Sequence, residues 1–268
     1  MLKNIFIFFI ILLFPIFLIK EYRILKSKKN FQVCASTACS NEEKYPLQDK
    51  SFTLIVFTQN DAETIERNYA SIVSQDYKDY HVIYIDQGSS DETVSLLKKK
   101  IGSNAHVKVI ECVEMHDAYK MYYQEVLKCL DDDIIVHLYG SDWLAHDKVL
   151  CTLCQFYSHP KVWLSYAQYL EYGNNQETWP HPKPKTILSK KRAQKTPWIL
   201  APFKTYYAGL LKKICINKGF FLSIEDEKAL LNPVAELSGS QVRFIPDVLF
   251  IHYKKKGRAQ PVLDKQQK

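Results

Sequence analysis

Short apolar runs alternate along this chain with segments of helical periodicity. The runs at residues 52–57 and 82–85 are apolar apart from Thr53, as expected for strands covered on both faces. Between them, Ile65, Tyr69 and Ile72 recur at the spacing of one helix face. Further strands are predicted at 107–110, 134–138, 162–169 and 242–251. The order of strands and helices predicts an α/β fold with a mostly parallel sheet flanked by helices.

Where a predicted strand stops, the sequence turns polar. Thr58 and Asn60 follow the first strand, Asp86 ends the second, and Asp142 follows the fourth. Because parallel strands end at one edge of a sheet, we expect these four residues to face one crevice. The alternative for each is local, since polar residues at strand ends often cap the next helix or close a turn.

The same segments carry a resemblance to an enzyme family. Thr58-Gln-Asn60, Asp86-Gln-Gly-Ser89 and Leu138-Tyr-Gly-Ser-Asp-Trp-Leu144 resemble segments of the inverting, nucleotide-sugar-dependent glycosyltransferases of family 2. The resemblance extends over residues 52–253. It implies a GT-A fold with a Rossmann-like sheet. It also implies sugar transfer from a nucleoside diphosphate sugar to a saccharide, lipid or protein acceptor, with Thr58, Asn60, Asp86 and Asp142 as donor-binding residues.

The acidic cluster of that family is incomplete in this chain. Gln87, Tyr139 and Ser141 stand where relatives carry acids, and Asp142 remains. In relatives such a cluster holds Mg²⁺ or Mn²⁺ against the diphosphate, which gains charge as the sugar leaves. The resemblance therefore makes Asp142 the predicted metal-binding residue. One carboxylate is a poor cation site by itself.

His252 is a second candidate ligand for the cation, although a lone histidine is more often structural. The loss of acids also supports a second hypothesis. In it, the chain is a catalytically degenerate GT-A-fold protein with a binding or scaffold role.

A general base is expected within Glu225-Asp226-Glu227. Inverting transfer needs a carboxylate that takes the proton of the acceptor hydroxyl. By its spacing from Pro233, Glu227 matches the acid of the family, and Asp226 is adjacent. The alternative is that acids are frequent in the first turn of helices, where they complement the helix dipole.

A third hypothesis is a transferase that needs no metal. In it, the basic run at 190–195 offsets the charge of the diphosphate.

The amino-terminal segment predicts a membrane anchor. Residues 5–19 are almost wholly apolar, and Lys3 and Lys20 flank them. Basic residues are more numerous after this run than before it, which places the bulk of the chain on the cytosolic side. We expect an anchor at 1–20, a basic and polar linker at 21–50, the catalytic-type domain at 51–253 and a basic tail at 254–268. A secretory signal peptide has a core of similar length, but small residues do not follow this one.

The amino-acid composition limits which classes of protein and of partner remain. With 47% hydrophobic residues among 268, the chain can bury a sizeable core. Its seven scattered cysteines argue against a disulfide scaffold, and Cys151 and Cys154 fit a helix face better than a metal site. The net charge of +7 is concentrated in basic runs that suit anionic lipid, a phosphorylated ligand or a solvated face. We expect no nucleic-acid partner.

Overall fold

In the computed structural model of the protein, the described residues are 46–113, 115–172, 177–178, 203–216 and 227–254, within a compact unit that begins at Pro46. The predicted anchor, the basic run at 190–195 and Asp226 lie outside them. Within these ranges, no helix combines the length and apolar character that crossing a bilayer requires.

The secondary structure follows the predicted alternation as far as β4. The elements in chain order are β1 (Phe52–Thr58), α1 (Ile65–Val73), β2 (Tyr80–Gln87), α2 (Thr93–Ile101), β3 (Val107–Cys112), α3 (Met115–Lys128), β4 (Ile134–Tyr139), β5 (Trp143–Leu144), α4 (Val149–Tyr157), β6 (Leu164–Glu171), β7 (Glu177–Thr178), β8 (Lys204–Tyr207), α5 (Ala208–Ile216), α6 (Glu227–Ser238), a 3-10 turn (Gly239–Gln241) and β9 (Val242–His252).

The strands form one sheet in the order β3-β2-β1-β4-β8-β6-β9-β5, with β7 added to β6. β1 to β4 pair in parallel, as predicted. β8 is antiparallel to both β4 and β6, and β5 and β7 are antiparallel to their partners. Among the described strands four of the eight pairings are parallel, so the sheet is mixed and the prediction of a mostly parallel sheet was wrong. Antiparallel pairing needs no helical crossover, and the regular alternation behind the prediction reaches only β4.

Most strands nevertheless end at one edge. Because β8 is antiparallel to both β4 and β6, those two strands point the same way, and β9 is parallel to β6. The carboxyl ends of β1, β2, β4, β6 and β9 therefore share an edge. This is the edge at which open α/β sheets bind ligands.

The sheet is covered on both faces. Every residue of β1 is buried, and its side chains alternate between the two cores. Ile55 and Phe57 join the core under α3, α5 and α6, whereas Leu54 and Val56 join the core under α1, α2 and α4. Burial on both faces explains why β1 is almost wholly apolar in sequence.

The far end of β9 pairs with β5, the short strand that follows β4. The register between β6 and β9 shifts on either side of Gln168, and such irregularities increase strand twist. The last residues of β9 then pair with β5, with Trp143 opposite Ile251 and Leu144 opposite Phe250. As a result, the loop between β4 and β5 lies against the end of β9.

Replacing Leu144 by alanine tests whether β5 anchors this arrangement. Leu144 is 3% exposed and belongs to the core under α1, α2 and α4. We expect Leu144→Ala to lower the free energy of unfolding by about 2–5 kcal/mol, because it leaves a cavity. Urea denaturation measures the loss. Leu130→Ala is the control: Leu130 is 68% exposed, so a change within about 0.5 kcal/mol is expected. Equal losses in the two variants would contradict the role given to Leu144.

Candidate functional site

The end of β1 is closed by a buried turn. The Thr58 hydroxyl donates to Asp61 Oδ2 over 3.1 Å, and the Gln59 N–H donates to the same oxygen over 3.0 Å. Gly140, just after β4, presses against this turn. A Cβ at Gly140 would lie 2.8 Å from Asp61 Oδ2 and 2.9 Å from Thr58 Oγ1. The absence of a side chain at Gly140 is what lets the ends of β1 and β4 approach each other.

Asn60 connects the loops after β1 and β2. Its φ of 52° is in the left-handed region, which asparagine tolerates better than most residues. Asn60 Oδ1 accepts from the Ser90 N–H over 2.8 Å, and the Asn60 N–H donates to Ser89 Oγ over 2.9 Å. This residue fixes the spacing of two loops along the crevice.

Asp86 is a buried turn residue at the end of β2. Its Oδ2 accepts from the Ser89 N–H over 2.8 Å, and its Oδ1 accepts from the Ser89 hydroxyl. The local alternative, a turn aspartate, therefore describes its observed contacts. Carboxylate oxygens have more than one lone-pair site, so a donor contact of Asp86 stays a prediction.

The structure brings Asp142 and His252, which were predicted separately, into direct contact. His252 Nδ1 lies 2.9 Å from Asp142 Oδ1, and the Tyr253 N–H donates to the same oxygen over 3.1 Å. Asp142 is 1% exposed. Its other oxygen, Oδ2, is buried and has no hydrogen-bond partner within the described residues. A buried carboxylate oxygen without a partner is costly and calls for a physical explanation.

The contact with Asp142 also changes the pKa of the His252 imidazole. Burial by itself lowers the pKa of His252, but the hydrogen bond and negative charge of Asp142, together with Glu171, outweigh it. The net effect raises the pKa of His252 above its ordinary value. His252 therefore carries a proton over a wider pH range than a free histidine.

Asn68 is a site residue that the sequence analysis missed. It is fully buried, and its side-chain amide donates to the carbonyl oxygens of Tyr139 over 3.0 Å and Asp142 over 2.7 Å. Its Oδ1 accepts from the Tyr84 hydroxyl over 2.7 Å. Its position on the apolar face of α1, between Ile65 and Ile72, was the available signal, because a polar residue there needs buried partners.

The structure describes the remaining candidate residues less completely. Glu227 is the first residue of α6, which packs on the same core as α3 and α5. Its side chain, like all of Asp226, is outside what the structure describes. Cys151 and Cys154 are free thiols on α4, and Cys151 Sγ donates to the Asp76 carbonyl oxygen over 3.0 Å.

Comparison with known proteins identifies the family of this chain. The sequence profile described as "Glycosyl transferase family 2" matches residues 53–219. The chain belongs to glycosyl transferase family 2. The resemblance drawn from the strand ends is thereby confirmed. A search of curated proteins finds no match.

Solved structures support the GT-A type of fold for this family 2 chain. One is S. aureus TarS 1-349 in complex with UDP-GlcNAc, at 16% identity and a TM-score of 0.60, with 78% of this chain and 60% of TarS covered. Another is the mannosyltransferase PcManGT from Pyrobaculum calidifontis in complex with GDP-Man and Mn²⁺. It has 17% identity and a TM-score of 0.58, with 81% of this chain and 61% of PcManGT covered. This chain thus spans about three fifths of the length of each, and the likeness concerns the fold.

The described residues of this family 2 chain do not make a cation site by themselves. Asp142 Oδ2 is one oxygen that could bind a cation, but Asp142 Oδ1 and His252 Nδ1 are hydrogen-bonded to each other. Tyr139 and Ser141, where relatives carry acids, offer no carboxylate. Over the described part of the chain, no three acidic, histidine or cysteine side chains cluster as metal ligands would. A hard divalent cation normally takes about six oxygen ligands.

Exchanging Asn68 for aspartate tests its role in holding the loop after β4. The variant keeps the size of the side chain but replaces the donating amide by an oxygen that faces two carbonyl oxygens. We expect Asn68→Asp to lower the free energy of unfolding by at least about 1–3 kcal/mol at neutral pH. The control is Asn104→Asp in the half-exposed turn before β3. Urea midpoints that shift equally in both variants would contradict this role.

The contact between Asp142 and His252 predicts a pH-dependent stability. A histidine whose folded pKa is raised stabilises the fold fully below its unfolded pKa, about 6.5, and loses that effect as pH rises through the folded pKa. The stability gap between the wild type and His252→Gln should therefore be larger at about pH 5.5 than at about pH 9. Thermal denaturation across this range measures the gap. His106→Gln, which alters an exposed histidine, is the control, and a gap that widens with pH would contradict the assignment.

Proposed function

We propose that this chain transfers a sugar from a nucleoside diphosphate sugar to an acceptor, with inversion at the anomeric carbon. The observation that carries the proposal is the convergence of Thr58, Asp86, Asp142 and His252 at one edge of the sheet, with Asp142 Oδ2 buried and unpartnered among the described residues. Family membership and the shared fold support it.

Donor binding is assigned to the ends of β1, β2 and β4. Asp142 Oδ2 accepts a hydrogen bond from a hydroxyl group of the ribose or of the transferred sugar. This bond removes the cost of leaving that oxygen without a partner. Asp86 and Asn60 shape the part of the crevice between the first two strands.

The chemical step is a direct displacement. The acceptor hydroxyl oxygen forms a bond to the anomeric carbon, while the bond from that carbon to the phosphate oxygen breaks and the nucleoside diphosphate leaves. The carboxylate of Glu227 or Asp226, at the start of α6, takes the hydroxyl proton. Since the described residues do not form a cation site by themselves, no step is assigned to a metal.

The structural neighbours indicate which donors to test first. TarS was solved with UDP-GlcNAc and PcManGT with GDP-Man and Mn²⁺, so UDP and GDP are the starting ligands. For the acceptor, the proposal is a saccharide, lipid or protein at the cytosolic face of a membrane. It rests on the apolar run at 5–19 and the basic residues that follow it.

One specific observation favours a second candidate, a binding protein without turnover. Asp86 is bonded to Ser89 through both oxygens, and Gln87, Tyr139 and Ser141 replace acids of the family pattern. Restoring the acids with Tyr139→Asp and Ser141→Asp separates the two candidates. If Mn²⁺-dependent donor hydrolysis appears only in the restored variant, the natural chain binds donors without turning them over.

Calorimetric titration with UDP and with GDP, each with Mn²⁺ and with EDTA, tests donor binding. We expect one nucleotide to bind, and Asp142→Asn to weaken it by at least about tenfold, because a charged acceptor is lost. Asp132→Asn is the matched control, since this exposed aspartate lies just before the opposite end of β4. Absence of binding by folded wild-type protein under all four conditions would overturn the proposal.

A further inference from the structure

Arg67, in the first turn of α1, has an unusual environment for an exposed arginine. Its Cζ lies 4.7 Å from the ring centroid of Trp143 and 5.2 Å from that of Tyr172. The two rings form a T-shaped pair with centroids 5.2 Å apart. Attraction between a cation and an aromatic face acts over about 6 Å, so both rings hold the guanidinium in place.

This cluster adjoins the candidate site. Trp143 directly follows Asp142, and Asn68, which follows Arg67, donates to the Asp142 carbonyl oxygen. Tyr172 follows β6, which ends at the same edge as β4, and its ring packs against Tyr253 with centroids 5.8 Å apart. The Tyr253 N–H in turn donates to Asp142 Oδ1. The Arg67 cluster and the Asp142 carboxylate therefore lie at the same end of the sheet.

No acid among the described residues uses the hydrogen-bonding edge of the guanidinium. Arg67 is exposed and makes no ion pair with a carboxylate there. Glu63, one helical turn earlier, accepts instead from the Tyr253 hydroxyl over 2.8 Å. Tyr172 is 45% exposed, so the cluster is open to solvent on that side.

We propose that Arg67, held over Trp143 and Tyr172, binds the phosphate groups of the donor and supplies positive charge where the acids of a cation site are missing. The inference rests on the proposed function. A guanidinium presents a planar set of N–H donors that matches two phosphate oxygens at once, and it stacks on aromatic rings. In this chain one acid, Asp142, remains where relatives carry a cluster that holds a cation, and a fixed guanidinium at the same end of the sheet offsets the charge of the leaving group.

The test compares ligands with and without phosphates. Full-length wild type and Arg67→Gln are titrated with UDP and with uridine, and with GDP and guanosine, in EDTA. We expect Arg67→Gln to weaken the diphosphate that binds by at least about tenfold, because a charge-assisted bidentate contact is lost. Binding of the corresponding nucleoside should stay within about twofold.

Two further variants sharpen the result. Arg67→Lys keeps the charge but not the planar donors, so its affinity for the diphosphate should lie between those of Arg67→Gln and the wild type. Arg243→Gln is the matched control, since this guanidinium donates to the carbonyl oxygens of Ser240 and Val242 at the start of β9. Binding by this control should match the wild type.

The possible results distinguish a failure of this inference from a failure of the proposed function. If the wild type binds the diphosphate and Arg67→Gln binds it equally well, Arg67 is a surface residue and the inference fails while the proposed function stands. If Arg67→Gln loses diphosphate and nucleoside to the same extent, the variant distorts the site and the phosphate role is wrong. If the folded wild type binds no nucleotide at all, the proposed function fails first, and this inference fails with it.

Discussion

The candidate site depends on one carboxylate that joins two distant parts of the chain. Asp142 Oδ1 accepts from the Tyr253 N–H and contacts His252 Nδ1, so the loop after β4 is fixed to the end of β9. Asn68 holds the same loop from α1 through the carbonyl oxygen of Asp142. These contacts add side-chain bonds to the backbone pairing of β9 with β5 and β6, which holds the same end of β9. The position of Asp142 Oδ2, which carries the functional proposal, follows from how Oδ1 is used.

The other polar residues of the crevice are occupied mainly with one another. Thr58 donates to Asp61, Asp86 accepts twice from Ser89, and Asn60 accepts from Ser90. Such contacts fix the loops before any ligand arrives, and a preorganised polar site stabilises developing charge better than one that must reorganise. The same contacts explain why residue type alone could not separate a binding role from a turn role. In this crevice one aspartate can close a turn and still present lone pairs to a ligand.

Sequence patterns predicted the local parts of the structure and missed the parts set by long-range contacts. The strand predicted at 52–57 is observed at Phe52–Thr58, because a strand buried on both faces is mostly apolar. The direction of β8 was not predictable, since the four residues Lys204–Tyr207 carry no signal for their orientation. Asp142 and His252 were each proposed as ligands, but their contact spans 110 residues and depends on the irregular register of β9. Asn68 was overlooked because its partners are backbone carbonyl groups, which no side-chain pattern reveals.

The brevity of β5 has a consequence for motion at this edge. Its attachment to β9 consists of two residue pairs, whereas β1 and β2 are joined through seven. Fewer backbone hydrogen bonds therefore oppose local opening at β5 than at the centre of the sheet, and the burial of Leu144 is what compensates for the short pairing. Amide protons of β5 would then exchange with solvent before those of β1, and the core contact of one leucine, more than the backbone pairing, sets how tightly this corner of the sheet is closed.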